Sequence, residues 1–198
     1  MPFDHFDLIA SLYNRTTQFS ASAALLALLA LHPDDLLLDA GGGTGRVAET
    51  LHRMVKGVVV VDLSRGMLRH ATEKGLVTTC APVERLPFIS STFNRIIMVD
   101  ALHHVTDQRQ TISELWRVLA PDGRIVIIEP DIHRFTVKLI AIGEKVLLMR
   151  SHFLSAERIT ALFAKQNAQP RVIFDEFNVW VYAEKASNTG VSNSPILL

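Results

Sequence analysis

The hydrophobic positions fall into short unbroken runs separated by amphipathic segments. Leu36 to Ala40, Val58 to Asp62, Val77 to Ala81, Phe93 to Asp100 and Arg124 to Glu129 are such runs. Stretches like Val58-Val59-Val60-Val61 suit strands buried on both faces, as in a parallel sheet. Between them the apolar spacing turns helical. Val47 to Met54 is amphipathic, Ser64 opens a helix to Lys74 that Gly75 stops, and Ile112, Leu115, Trp116 and Leu119 form one stripe. Gly57 is expected to end the first of these helices. Asp107, with Gln110 three positions on, predicts a capping box.

Pro33-Asp34-Asp35, Leu86-Pro87-Phe88 and Pro121-Asp122-Gly123 read as turns or loops. Before the first strand, residues 4–31 predict two helices. Phe6, Ile9, Leu12 and Tyr13 mark the first, and the second is apolar nearly all round. After Pro130, residues 135–150 have a helical pattern, and Ser155 starts a helix to Gln166. Val172 to Glu176 and Asn178 to Glu184 predict a closing hairpin. Residues 186–198 are small, polar and aperiodic, which suits a frayed tail.

Strands alternate with helices as far as Glu129. The expected fold is therefore α/β: a Rossmann-like, doubly wound, mostly parallel seven-stranded sheet, with N-terminal helices and a C-terminal antiparallel hairpin. Residues 1–185 are expected to form one domain, in which 1–32 is a helical lid and 133–168 a helical insertion on the substrate side. Ligands of such sheets sit beyond the carboxyl ends of the strands, where the strand order reverses. That end should carry Gly41 to Gly45, Asp62, Cys80 to Pro82, Asp100 to His104, and Glu129 to Asp131.

One stretch at that end stands out. Asp39-Ala40-Gly41-Gly42-Gly43-Thr44-Gly45-Arg46 follows the first strand and opens a helix. Glycine admits positive φ and lets a ligand approach the main chain, and a helix start presents free N–H groups. Asp62 ends the next strand, where an acidic side chain can accept both hydroxyls of a ribose. Glycine loop and strand-end acid together point to a nucleoside ligand. A tight turn plus an Asp that caps the next helix is the bland alternative. The dinucleotide fingerprint has glycine at its first, third and sixth positions. Here glycines fall at first, third and fifth (Gly41, Gly43, Gly45), and the sixth is Arg46, which counts against NAD.

Composition narrows the class further. The chain has 198 residues, 48% of them hydrophobic, so it can bury a sizeable core. Lys+Arg and Asp+Glu are both 20, and this zero net charge gives no reason to expect nucleic acid or an anionic membrane as partner. The single cysteine, Cys80, excludes an internal disulfide and a cysteine-built zinc site, and is expected to be a small buried residue. No metal is expected. Asp4 and Asp7 stand where a signal peptide would be basic. The apolar run from Ala21 to Leu31 is too short to span a bilayer. A cytoplasmic protein without stable membrane insertion is the expectation.

The series Asp39-x-Gly41-x-Gly43-x-Gly45 resembles the first motif of the class I S-adenosylmethionine-dependent methyltransferases. Asp62-Leu63-Ser64-x-x-Met67-Leu68 resembles the second-strand motif of that family. Leu86-Pro87-Phe88, Phe93 to Val105, and Arg117-Val118-Leu119-x-Pro121-x-Gly123-Arg124 through Glu129-Pro130 resemble its ubiquinone and menaquinone biosynthesis group. The resemblance spans roughly residues 4–185. It implies S-adenosyl-L-methionine as cofactor, with Asp39, Ala40, Gly41, Gly43 and Gly45 around its methionine end. By the same resemblance Asp62 would hold the ribose, and Leu63, Met67, Val83 and Glu84 would lie by the adenine. Asp100, Ala101 and His103 would line the site beneath the sulfonium, and Tyr13 matches a frequent tyrosine of the N-terminal lid. The family often places an Asp four residues before Leu-Pro-Phe to receive the adenine amino group. Pro82 stands there, so adenine recognition would lean on main-chain groups or Glu84.

Methyl transfer requires chiefly that nucleophile, methyl carbon and sulfur be aligned. A base is needed when the nucleophile keeps its proton. His103 and His104, with Tyr13, are the catalytic candidates. His133 is a further histidine predicted near the strand ends. Asp100-Ala101-Leu102-His103 replaces the Asn/Asp-Pro-Pro-aromatic run of amino-directed methyltransferases. The expected partner is therefore a small-molecule acceptor, methylated on carbon or oxygen and quinone-like or otherwise apolar, with no nucleic acid involved. Residues 135–154, rich in Leu, Ile and Met, fit a substrate cover, a homodimer surface or plain packing. The alternative function is a non-catalytic S-adenosylmethionine-binding regulatory or partner subunit.

Overall fold

The computed structural model describes residues 21–131, 152–175 and 177–187. The described elements, in chain order, are α1 (Ala23–Leu29), β1 (Leu36–Ala40), α2 (Arg46–Leu51), β2 (Gly57–Asp62), α3 (Arg65–Glu73), β3 (Val77–Cys80), β4 (Phe93–Val99), α4 (Gln108–Val118), β5 (Leu119–Pro130), α5 (Ala156–Leu162), β6 (Arg171–Phe174) and β7 (Asn178–Glu184). Short 3-10 turns follow α2, β4 and α5. The first N-terminal helix, Tyr13, His133 and most of the 133–168 insertion lie outside the described residues.

The sheet has seven strands in the order β3-β2-β1-β4-β5-β7-β6. β3, β2, β1, β4 and β5 run parallel, while β7 is antiparallel to β5 and to β6. This is the doubly wound, mostly parallel sheet with a closing hairpin that the alternation of runs implies.

Successive side chains of a strand point to opposite faces, and here both faces are covered. Leu38, Val61, Ile96, Met98, Ile125 and Ile127 point to one face, against Ile112, Leu115 and Val118 of α4 and Ile159 of α5. Leu37, Val60, Ile97, Val99, Val126 and Ile128 point to the other, against α1, α2, α3 and Trp180. Each fully buried side chain of this size contributes about 1.5–3 kcal/mol. β3 is an edge strand with Val77 exposed, so its pattern is the weakest of the five.

Helix ends follow local chemistry. Ser22 and Ser64 accept from Leu25 N and Met67 N, and Asp107 accepts from Gln110 N. The Gln110 side chain does not complete a capping box. It donates to Glu84 O, and Asp107 N is taken by Glu84 Oε1 instead. Ser155 sits at the start of α5 without a side-chain cap bond.

Other expectations shift. Gly57 begins β2 rather than ending a helix, because α2 gives way to a 3-10 turn at His52–Met54. Pro121-Asp122-Gly123 lies within β5. The register slips between Phe93↔Leu119 and Arg95↔Arg124, and the extra residues stay in the sheet because Asp122 N and Gly123 O pair with Lys185 O and N. Cys80 is exposed, since the edge position of β3 leaves its end uncovered. Among the described residues no helix is long and apolar enough to cross a membrane.

Candidate functional site

The strand order reverses between β1 and β4, so the loops after these strands diverge to opposite sides and leave a crevice. After β1 the chain bends sharply. Gly41 N and Gly42 N both donate to Val61 O, at 2.7 and 3.1 Å, which folds the bend over the end of β2. Gly41, Gly43 and Gly45 have φ of 70°, 55° and 72°, a region side chains avoid.

What surrounds each glycine differs. A Cβ at Gly41 would meet Ala101 Cβ at 2.6 Å, one at Gly42 would meet Asp39 Cγ at 2.6 Å, and one at Gly45 would meet Leu76 Cδ1 at 2.5 Å. These three are required by the protein's own packing. At Gly43 the nearest atoms are Asp62 Oδ2 at 3.9 Å and Met67 Sδ at 4.0 Å. Of the four, only Gly43 would seat a Cβ without a clash, in ordinary contact with Asp62 and Met67.

Asp62 ties the bend to the next strand. Its Oδ2 accepts from Gly43 N at 2.9 Å and its Oδ1 from Ser64 N at 2.8 Å. The side chain thus serves the helix after β2, as the bland alternative supposed, and the glycine bend as well. Both oxygens of this carboxylate are engaged by main-chain N–H groups.

Asp39 lies beneath the bend, 1% exposed. Its Oδ2 accepts from Ala48 N at 3.1 Å, while Oδ1 has no hydrogen-bond partner among the described residues. Burial pushes this carboxyl up from its usual value to about 7, and the Ala48 N–H and Arg46 charge offset only part of the rise. Thr44 Oγ1 is also buried, with no hydrogen-bond partner among the described residues. Buried polar atoms without partners are uncommon and call for an explanation. Here both border a bend with room for a Cβ at Gly43, which fits a ligand that brings its own donors.

The loop after β4 forms the facing wall. Asp100 adopts φ 51°, and its Oδ2 pairs with Arg46 at 2.6 Å. Ala101 abuts Gly41. Glu129, at the end of β5, is buried and binds this loop three times. Its Oε1 accepts from Ala101 N at 3.0 Å and Leu102 N at 2.8 Å, and its Oε2 lies 2.6 Å from His103 Nδ1. The His103 ring stacks on Phe153 at 4.2 Å and 15°, and the His104 ring is 4.0 Å away at a tilt of 49°. Adjacent histidines point apart on a strand. The 3-10 turn at Leu102–His104 brings them together instead. Burial, with His103 alongside, lowers His104 to about 3, so it is neutral near pH 7. The Phe153 strand of chain is anchored by His152 N donating to His103 O at 2.7 Å and by Gln108 Nε2 bridging Leu102 O and His152 O.

Toward the third strand, Leu63 is 67% exposed, while Met67 and Val83 are buried. Cys80 Sγ lies 3.5 Å from Leu63 O. Pro82 is exposed. Glu84 Oε1 accepts from Thr106 N at 2.9 Å, which engages its carboxylate at the start of α4.

The bend, Asp62, Met67, Asp100, Ala101 and His103 are thus brought to one crevice, and Tyr13 lies outside the described residues. Arg46 and Phe153 were missed as site residues, while Glu129 was expected at this end of the sheet without an assigned role. Arg46 was legible only as a break in the dinucleotide pattern. Glu129 carried a usable signal, an acid at the carboxyl end of a central strand.

The comparisons with known proteins agree with this geometry. A family model described as "Methyltransferase domain" matches residues 38–127. Demethylmenaquinone methyltransferase of Thermobifida fusca is 30% identical over 133 residues, which is 64% of this chain and 56% of that one. The ubiquinone/menaquinone biosynthesis C-methyltransferase UbiE of Geotalea daltonii is 30% identical over 150 residues, 67% of this chain and 64% of that one. The chain spans about half the length of the curated relatives it matches.

Among solved structures, an S-adenosylmethionine-dependent methyltransferase of Thermotoga maritima has a TM-score of 0.75 at 21% identity, covering 91% of this chain and 97% of its own. Geranyl diphosphate C-methyltransferase of Streptomyces coelicolor has a TM-score of 0.69 at 17% identity, covering 82% and 76%. The matched motifs and the shared fold agree: this chain is similar to the class I S-adenosylmethionine-dependent methyltransferases, and the ubiquinone and menaquinone biosynthesis enzymes are among the relatives it matches.

Proposed function

We propose that the protein transfers a methyl group from S-adenosyl-L-methionine to carbon or oxygen of a small, apolar, quinone-like acceptor. The observation that carries this reading is the hydrogen bond from Gly43 N to Asp62 Oδ2 beside the room for a Cβ at Gly43. Asp62 would receive the ribose hydroxyls. The bend at Gly41 to Gly45, with Asp39 and Ala40 behind it, would hold the methionine end. Leu63, Met67 and Val83 would flank the adenine. Asp100 and Ala101 would close the site near the sulfur, with the proton-taking candidates His103, His104 and Tyr13 beyond.

The cofactor supplies an electrophilic methyl group on a sulfonium. The chain's own residues orient the two partners and exclude water, which is catalysis by proximity. The rings of Phe153, His103 and His104 form an aromatic cluster at the loop after β4. The relatives named for demethylmenaquinone and ubiquinone/menaquinone methylation support a quinol-type acceptor.

Calorimetric titration with S-adenosylhomocysteine tests the cofactor reading, and turnover with simple quinols and phenols tests the acceptor. Failure to bind S-adenosylhomocysteine overturns the proposal. Binding with no turnover would favour a non-catalytic cofactor-binding subunit. Exposed Pro82, with Glu84 engaged at the start of α4, favours that second reading, because neither offers the adenine a free carboxylate.

A further inference from the structure

The sheet ends at β6, whose one neighbour among the described residues is β7. A sheet edge presents a row of unpaired N–H and C=O groups that can receive a further strand. This edge also exposes apolar side chains. Ile173 is 42% and Phe174 59% exposed, and Phe177, between β6 and β7, is 53% exposed. Beside it lies a cleft of about 340 Å3 between α1 and the hairpin, with Arg124, Arg171, Ile173, Tyr182 and Glu184 in its lining.

The ladder fixes which main-chain groups point outward. Arg171 to Phe174 pair with Tyr182 to Val179. Asp175 N donates to Asn178 O at 2.9 Å, one step further in the same register. Asp175 therefore turns its main chain toward β7. Every second residue of an antiparallel strand does the same, so Arg171 and Ile173 also face β7. Val172 and Phe174 then turn their N–H and C=O groups to the open edge. Pro170, the next residue on that side, has no N–H to offer.

We propose that β6 joins two copies of this chain, paired antiparallel about a twofold axis through Ile173. The run Arg171-Val172-Ile173-Phe174-Asp175 is complementary to its own reverse. In that register Val172 of each copy lies opposite Phe174 of the other, and each such pair exchanges both hydrogen bonds. The outward groups of both residues are thereby satisfied. Ile173 meets Ile173 of the second copy in a non-hydrogen-bonded pair, where side chains come closest. Arg171 of each copy meets Asp175 of the other, and opposite charges placed so stabilise a sheet. An axis through Val172 or Phe174 would lose both charge pairs, and at Val172 it would set Phe174 against Pro170. Arg171 and Ile173 share a face with Tyr182, on the side of the cleft. Asp175 of the second copy then lies beside a lining that carries Arg124 and Arg171 against one acid, Glu184. β5 and β7 separate β6 from β4, so this contact lies away from the crevice and does not depend on the reaction proposed for it.

Sedimentation of the full-length protein between about 1 and 100 µM should show a dimer that grows with concentration. Ile173→Lys sets two like charges against each other at the axis. Its position is exposed, so it should keep the circular dichroism of the wild type and sediment as a monomer. Asp175→Arg sets arginine against Arg171 and should raise the dissociation constant of the dimer about tenfold or more. Adding Arg171→Asp restores both charge pairs and should return that constant to within about threefold of wild type. Ile173→Cys in a Cys80→Ser background should form a disulfide between copies on oxidation, because the Cα atoms of such a pair lie about 4.5 Å apart. Val77→Cys, on the opposite edge of the sheet, should not. A wild type that is monomeric at the highest concentration overturns the proposal, also where β6 takes up a strand of some other protein. So does a dimer that survives Ile173→Lys, a charge exchange that rescues nothing, or an Ile173→Cys protein that cross-links no better than Val77→Cys.

Discussion

Gly43 N donates to Asp62 Oδ2 at 2.9 Å across two parallel strands. One hydrogen bond therefore fastens the bare main chain of the bend to the acid at the next strand end. It sets the spacing between the two features that a nucleoside ligand would touch together.

Removing that acid should weaken the ligand more than the fold. Asp62→Ala is expected to reduce S-adenosylhomocysteine affinity by about 1.5–3 kcal/mol, the range for hydrogen bonds to charged groups. Isothermal calorimetry reads this directly. An unchanged dissociation constant would remove Asp62 from the ligand.

The glycines should separate into two classes. Both Gly43 and Gly45 have positive φ, so an alanine at either costs about 1–2 kcal/mol in backbone strain. At Gly45 the new Cβ would also strike Leu76 and Ala71, at 2.5 and 3.0 Å, whereas at Gly43 it meets nothing closer than 3.9 Å. Denaturant unfolding should show Gly45→Ala to be the more destabilised. Gly43→Val should fold and yet lose S-adenosylhomocysteine binding, because its side chain would fill the approach.

Asp39 should tilt stability with pH. Its folded-state value near 7 lies above the ordinary 3.8, so the native protein holds this proton more tightly than the unfolded chain. The associated stability is complete below about pH 3.8 and is lost as pH rises through 7. At about 1.4 kcal/mol per pKa unit the window amounts to roughly 4 kcal/mol. Asp39→Asn cannot ionise and should lack this slope. Urea unfolding of both proteins between pH 4 and 8 measures the difference, and parallel curves would refute it.

Arg46 and Asp100 should respond unequally to removal of their shared ion pair. Arg46→Ala leaves Asp100 at φ 51° without its partner. Asp100→Gly loses the same pair but relieves the left-handed strain, about 1–2 kcal/mol. Thermal unfolding should rank Asp100→Gly above Arg46→Ala. In a domain of this size 1 kcal/mol moves Tm by about 2–4 °C. The reverse order would show that Asp100 is not strained in the folded state.

The sequence alone determined the sheet, its parallel character and the place of the crevice. Leu36-Leu37-Leu38 and Val58 to Val61 have no polar alternation, and only a strand covered on both sides tolerates that. Glycine spacing and a strand-end acid are local facts, so Asp62 and the Gly41–Gly45 bend were legible before any fold was known. Tertiary structure decided which distant groups meet. Glu84 is drawn 22 residues along the chain to Thr106 N, and Glu129 26 residues back to His103. Cys80 is exposed because β3 is an edge strand, a property of strand order and not of its own neighbours. His103 and His104 touch because a 3-10 turn, not a strand, carries them. Hydrophobic runs specify what must be buried. The partner of a buried acid is fixed only once the strands have taken their places, since its energy depends on donors far away in the chain.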